Sequence, residues 1–503
     1  MLYAIIIRLK KVEYFAEISN IIEKEHKQMG RTATLASKTK TEYSFTEHFI
    51  RIYALCISLF FLISVPFAVL YTREWNVFGN LLKIISSPCK IITDYFALGG
   101  LGSTLLNVAI CGLLGNLMIF IFKVKANATT LAGYMMLVAH CFFGLNFINM
   151  WPPFIGVLVY CIVMKKKIAD NIHVAFFATA LAPFISELLF RYPVGNFDPS
   201  VSKFNWVGLI VALVCGMAVG FILLPLFPGT NAMHRGYNLY KAGLAIGMLG
   251  IFIYAFMYKT LGIEVPPIPE IDNPEYFALP YAYRGFMNAF FLLFFAINFI
   301  VGFFMNDRSF RKYKRLLRCT GYGNDFADKF GMPVCLINIA IYGACIIAYL
   351  NLVFILPEIF PQLPAGIGFT GPTAGVVIAA LTFAADGQHV RNVFPIAVGY
   401  VLLFVIVVII CLISGIAIPW TLSTQIYVSC LAFATGLCPI SGKYGFKYGV
   451  AAGFLSATIC TVTGSMHGGF VLYNGGFTAG LAALIIVSLL DFYNVQPKRK
   501  DDI

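Results

Sequence analysis

NAMHRGYNLYKAGLAIG at 231–247 and GSMHGGFVLYNGGFTAG at 464–480 are one segment written twice. Met233, His234, Gly236, Leu239, Tyr240, Gly243 and Gly247 fall without a gap on Met466, His467, Gly469, Leu472, Tyr473, Gly476 and Gly480. Upstream, Gly216, Ala218, Gly220 and Phe221 fall in the same register on Gly449, Ala451, Gly453 and Phe454. Duplicated halves in an apolar chain are the build plan of transporters and channels, whose solute path lies between the halves.

Three further blocks recur in the same order. Asp94, Gly100, Leu105, Asn107 and Gly112 fall on Asp325, Gly331, Leu336, Asn338 and Gly343. Gly144, Asn149, Pro152 and Gly156 fall on Gly387, Asn392, Pro395 and Gly399. Ala178, Thr179, Leu181 and Pro183 fall on Ala434, Thr435, Leu437 and Pro439. Repeat one therefore covers about 46–262 and repeat two about 281–495. A basic tail at 1–45, an acidic Pro-rich linker at 263–280 and a short tail at 496–503 complete the chain.

The composition sets the class. Of 503 residues, 59% are hydrophobic and 12% charged, with a mean hydropathy of +0.82. That excludes an ordinary soluble domain and implies a chain that spans a bilayer many times. The net charge of +13 is not a nucleic-acid signature, because the Lys and Arg residues cluster between spans. The 13 cysteines are scattered through apolar runs without a CxxC pair. They read as small hydrophobes, not as disulfides or metal ligands.

Apolar runs place seven spans in repeat one, near 50–71, 101–122, 129–144, 150–164, 172–190, 205–227 and 240–261. Seven more lie near 281–305, 333–356, 367–385, 393–416, 422–440, 447–463 and 472–492. The third and fourth of each set are the least regular. Those at 129–144 and 150–164 are short and broken by Gly, Asn and Pro, and so read as half-helices or re-entrant segments. With the N-terminus inside, most basic clusters fall on the cytoplasmic side and the acidic 264–275 loop falls outside. An odd number of spans per repeat inverts the second copy. The link at 72–100 carries three Lys/Arg and its counterpart at 306–332 carries seven, as inversion requires. The expected fold is all-α and integral to the membrane, with about 14 transmembrane or half-spanning helices in two inverted-topology repeats of about seven. Both termini are expected in the cytoplasm.

Three duplicated blocks carry polar groups. GLNFINMWPP (144–153) pairs with GQHVRNVFPI (387–396). Asn146, Asn149, Gln388, His389 and Asn392 there either line a polar path or cap helix ends, since broken backbone in lipid needs partners. ATALAP (178–183) pairs with ATGLCP (434–439), where each proline frees the carbonyl of Thr179 or Thr435. Glu187 stands four residues before Arg191, an ion-pair spacing; an intramembrane acid is also a functional candidate. In the opening segment, the glycines suit close helix packing. His234, His467, Tyr240, Tyr473 and Asn474 remain as candidates for the walls of a pathway. The histidines read first as satisfied interface residues, and as pathway groups second.

Enzyme signatures are weak. There is no HExxH or GxSxG, and SGK at 441–443 is followed by Tyr444, not by the Ser/Thr of a phosphate-binding loop. No catalytic residue, metal site or cofactor is expected.

Over nearly its whole length the chain resembles a family of bacterial polytopic membrane proteins, domain of unknown function 1576. TDYFALGG (93–100), NMWPPFIG (149–156), ALAPFISE (180–187) and HGGFVLYNGGFTAGL (467–481) carry that resemblance. It implies bacterial origin and a cell-membrane location. A more distant likeness is to urea transporters. There too, a Gly/Phe/Asn-Pro-x-x-Gly stretch precedes a Gly-Tyr-Asn half-helix, here GYNLYKAG at 236–243. The extra spans depart from that pattern, as does the lack of a Leu-Pro-x-x-Thr-x-Pro-Phe motif. The likeness implies a small neutral solute.

The expected function is passage of a small polar, neutral or zwitterionic solute, by a channel or secondary transporter. The expected partners are the lipid bilayer and that solute, with no nucleic acid; a homo-oligomer is left open. The rivals are a membrane-embedded enzyme acting on a lipid or isoprenoid and a structural subunit of a membrane complex.

Overall fold

A computed structural model describes residues 44–88, 93–192, 204–265 and 281–498. The basic tail, except for its last residues, lies outside them. So do most of the 263–280 linker and the last five residues.

Among the described residues the chain is helical with no strand. In repeat one the helices are α1 (Phe45–Thr72), α2 (Val77–Ile85), α3 (Tyr95–Ile121), α4 (Ala128–His140), α5 (Trp151–Val163), α6 (Ile168–Phe190), α7 (Trp206–Met233) and α8 (Lys241–Thr260). In repeat two they are α9 (Arg284–Met305), α10 (Arg311–Leu316), α11 (Phe326–Phe330), α12 (Met332–Ile359), α13 (Gly371–Ala380), α14 (Val390–Ser414), α15 (Gln425–Tyr444), α16 (Phe446–Met466) and α17 (Asn474–Phe492). Eleven are long and apolar enough to cross a membrane. Helices are the form that lets a span satisfy its backbone without water.

The expected short spans are α4 and α5, of 13 residues each, and α13, of 10. A full crossing needs about 20 residues. The fourth span of repeat two, α14, runs for 25 residues. Its counterpart α5 stops because Lys165–Lys167 follow, whereas α14 continues through VLLFVIVVIICLIS.

Local chemistry repeats between the halves. Asp94 caps α3 and Asp325 caps α11. Gly100 (φ 75°) and Gly331 (φ 85°) break the helix five residues into each copy; glycine takes that conformation without strain. Asn127 caps α4 through the Thr130 amide, and Thr370 caps α13 through the Thr373 amide. Within α6 and α15, 3-10 turns at Thr179–Leu181 and Thr435–Leu437 precede Pro183 and Pro439. Each proline then sits in the first turn of a new helical segment, where its missing N–H costs nothing.

Packing repeats as well. α1 on α3 matches α9 on α12, and α5 on α7 matches α14 on α16. The halves meet where α4 packs on α13 and α8 packs on α17. These contacts are reciprocal. The Leu239 amide donates to the Gly436 carbonyl at 2.9 Å, and Leu472 donates to Ala180 at 3.0 Å. The Gly371 amide donates to Asp94 at 2.7 Å, and the Ala128 amide hydrogen-bonds Asp325. Gly243 lies against its own counterpart Gly476; a Cβ on Gly243 would stand 2.3 Å from the Gly476 carbonyl carbon. Each patch therefore meets the other copy of its partner, as in an isologous interface. The fifth spans are the most enclosed: 94% of the apolar window of α6 and 83% of that of α15 are buried, against 28% for α14. The outer helices turn large apolar side chains such as Phe252 and Ile413 outward, toward lipid.

Candidate functional site

The Gly-Asn-Pro breaks form one turn, built twice. Asn149 accepts from the Asn146 amide at 2.8 Å, and its Nδ2 donates to the Gly144 carbonyl at 2.8 Å and to Ser186 Oγ at 2.9 Å. Asn146 Oδ1 returns the favour to the Asn149 amide at 3.0 Å. In repeat two, Asn392 accepts from the His389 amide at 3.0 Å and donates to the Gly387 carbonyl at 2.8 Å and the Thr320 carbonyl at 3.3 Å. His389 Nδ1 accepts from the Asn392 amide at 3.3 Å, so Nε2 holds the proton facing the Cys319 carbonyl at 3.0 Å. Asn107 clamps the first turn through the Cys141 and Leu145 carbonyls. Asn338 clamps the second through those of Ala384 and Gln388. Asn149 and Asn392 thus stand at the helix entries with both ends of the amide engaged.

Tyr240, Gln388 and Thr435 come together at the repeat interface. Gln388 Nε2 donates to Thr435 Oγ1 at 2.7 Å, and Thr435 donates to the Ala432 carbonyl at 2.6 Å. The Tyr240 hydroxyl lies beside both side chains and donates to the Ala379 carbonyl at 2.7 Å. Tyr342 stands against the same threonine. Gln388 Oε1 is buried with no hydrogen bond among the described residues. In the alignment of the two halves, Tyr240, Thr435, Gln388 and Tyr342 fall on Tyr473, Thr179, Leu145 and Cys111. Tyr240 and Tyr473 themselves touch, ring centroids 5.7 Å apart. Beside Tyr473 lies His140, fully buried, with neither ring nitrogen bonded among the described residues. The sequence reading missed Tyr342 and His140, since each falls opposite an apolar residue of the other copy, Cys111 and Phe383.

The remaining candidates lie apart. Glu187 holds Arg191 through two bonds, of 2.8 and 2.5 Å, and accepts from the Tyr258 hydroxyl; this is the structural ion-pair alternative in a three-residue form. His467 Nε2 meets Asn474 Oδ1 at 2.9 Å. His234 is buried, and neither ring nitrogen has a hydrogen bond among the described residues.

A polar cleft of about 550 Å³ opens at the start of α4. Repeat one supplies Glu47, Lys125, Asn127, Thr129, Thr130, Asp170 and His173, and repeat two supplies Asp325 and Asp328. Behind it, Asp386 hydrogen-bonds Thr129. Burial, then the neighbouring Asp325 carboxylate, push Asp386 up to about 7, against the opposing pull of Lys241 and the Thr129 bond. Burial also raises Asp325. These carboxylates escaped the sequence reading because they come from segments far apart in the chain. Asp386 is two residues from Gln388, so one turn joins the cleft to the buried Tyr240 cluster.

The fold and this interface define a polytopic helical membrane protein built from two homologous halves. The chain belongs to the family described as protein of unknown function (DUF1576), which it matches twice, at residues 73–259 and 305–492. Each match begins after the first span of its half. No curated protein and no solved structure matches the chain.

Proposed function

We propose that the chain is a membrane transport protein, a channel or secondary transporter, that passes a small polar solute between two inverted-topology repeats. The observation that carries this reading is the polar cleft. It is lined from both halves, and its back wall continues through the 386–388 turn into a buried polar cluster at the repeat interface. Buried polar atoms without partners cost about 1–3 kcal/mol each. Gln388 Oε1 is therefore a place where water or a polar solute lowers the free energy. Short helices that meet at the centre are the usual way for such a protein to bring polar backbone ends to a solute. An odd number of full or half-spanning segments in each repeat inverts the second copy and puts the pseudo-twofold axis in the membrane plane. With the basic loops inside, both termini are in the cytoplasm and the cleft faces it, in the cell membrane.

The test is uptake by proteoliposomes offered a panel of small amides, amino acids and ions. We expect flux of at least one neutral or zwitterionic solute. Bridging Cys residues placed at Asp170 and Asp328 with a bifunctional reagent should stop it. Flux that survives the bridge would place the route elsewhere. In intact cells, in a background free of native thiols, an impermeant thiol reagent should label Glu270→Cys and spare Ser309→Cys. The opposite pattern overturns the orientation.

A further inference from the structure

Tyr240 and Tyr473 are counterparts, yet their surroundings differ. Tyr240 stands edge-on to Phe383, ring centroids 4.8 Å apart, and its hydroxyl donates to the Ala379 carbonyl at 2.7 Å. In the other half His140 takes the place of Phe383, and Met136 that of Ala379. Tyr473 stands edge-on to His140 at the wider separation of 6.0 Å. Neither the Tyr473 hydroxyl nor either ring nitrogen of His140 has a hydrogen bond among the described residues. Both residues are 0% exposed.

Phe383 shows that the fold needs only an apolar ring at this position. His140 gives up the hydration of two ring nitrogens there, and Tyr473 that of its hydroxyl, with no protein group in return. Two such groups side by side, one from each repeat, point to a partner from outside the chain. The pair connects to the polar cleft through the 386–388 turn: Gln388 lies beside Tyr240, and the Tyr240 ring is 5.7 Å from that of Tyr473. Phe143, Phe177 and Phe433 pack around the pair. Among the described residues no carboxylate, lysine or arginine acts on either group. An ion would lose its water here without meeting a counter-charge. A neutral imidazole presents one donor and one acceptor, and a phenol hydroxyl can be either. The chemistry that suits both is an uncharged group with a donor and an acceptor close together, on a flat unit that fits among aromatic rings.

We propose that His140 of repeat one and Tyr473 of repeat two bind a small neutral solute of the primary carboxamide type, its carbonyl accepting from one side chain and its N–H donating to the other. This deepens the transport reading and rests on it for the statement that the ligand is the transported solute; binding itself does not depend on it. A solute held by both side chains links the two repeats and favours the arrangement that keeps them together.

NMR of the full-length protein in detergent, with the carbons of its seven histidine rings labelled, tests this. The His140 signal is assigned by its loss in His140→Phe. Acetamide is the probe. Acetate, of the same shape but charged, and acetone, which cannot donate, are the controls. A saturable shift of the His140 signal with acetamide, absent with acetate and weaker with acetone, is expected. Tyr473→Phe should weaken acetamide binding roughly threefold to tenfold, as loss of one neutral hydrogen bond does. Both variants should unfold in SDS no earlier than the parent, since His140→Phe copies the other half and Tyr473→Phe removes an oxygen with no described bond. No saturable shift with acetamide leaves these groups to water and overturns the proposal. So does an equal response to acetate, an unchanged affinity in Tyr473→Phe, or earlier unfolding of either variant, which would show their polar atoms already bonded within the protein. A saturable shift without uptake of acetamide by liposomes would keep the site and remove it from the transport route. Uptake of another solute without the shift would keep transport and overturn the site.

Discussion

The crevice at the start of α4 and its counterpart at the start of α13 share one backbone plan and differ in what fills them. Asn127, Thr130, Ala169, His173, Asp325 and Asp328 at the first correspond to Thr370, Thr373, Gln425, Ser429, Asp94 and Ala97 at the second. At the second, Gln425 Oε1 accepts from Thr370 at 2.7 Å and from Thr373 at 3.3 Å, while its Nε2 donates to Ser429 at 3.0 Å. A neutral side chain thus plugs the crevice and satisfies its own walls. At the first, Ala169 offers only a methyl group, and the space is left to carboxylates and His173. The paired backbone features, Asp to amide and Asn to carbonyl, are kept at both. What the two copies share holds the fold; where they part, one crevice is open and charged and the other is sealed.

The largest effect should come from a shared feature. Asn149→Leu and Asn392→Leu each strand a buried amide and carbonyl, at about 2–4 kcal/mol. Both should lower stability to a similar degree when unfolding is followed in SDS titrations. A stable Asn149→Leu protein would show that the turn is held by other bonds. Next in size is Gly243→Ala, which pushes a methyl into the Gly476 backbone and should cost about 1–3 kcal/mol as overpacking. A neutral result would mean that α8 and α17 slide apart easily.

A smaller effect on stability, and a large one on access, should follow from exchanging the plug. Gln425→Ala with Ser429→His removes the hydrogen bonds of one side chain, about 1–2 kcal/mol, and should open the second crevice. Water access to a Cys introduced at Thr370, read by its rate of thiol labelling, should then rise. An unchanged rate would show that backbone, not Gln425, seals that end.

The last effect is one of pH. Asp386 has Phe143 as its counterpart, so only one half titrates here. Its folded value of about 7 lies above the ordinary 3.8. The folded protein therefore holds a proton that the unfolded chain releases, and this term makes stability fall as pH rises from about 4 to 7. The groups that face Asp386 are Asp325, Lys241, Cys335 and Cys438, with Asp328 acting on Asp325. Asp386→Asn should flatten the stability profile between pH 5 and 7; a profile as steep as the parent's would mean that another group carries it.

The duplication, the number and rough limits of the spans and the short third span were legible in the sequence. Those are consequences of local rules: a bilayer demands helices of a set length, and a break in one demands Asn, Gly or Pro nearby. For Asn149 and Asn392 the sequence posed the choice between cap and path, and it did not show the bonds that these side chains make to Ser186 and to the Thr320 carbonyl. For Tyr240, Gln388 and Thr435 it named the members of a cluster without joining them. The cleft was not legible at all. Asp170, Asp325 and Asp386 sit in different segments of the chain, and nothing in their spacing puts them together. Whether a side chain is open to solvent or plugged depends on what the other repeat places opposite it. So the sequence by itself determined the helices and the twofold plan, through periodicity and composition. Only the tertiary structure decided which of two equivalent crevices is charged, because electrostatic and steric partners are set by distance in space and not by distance along the chain.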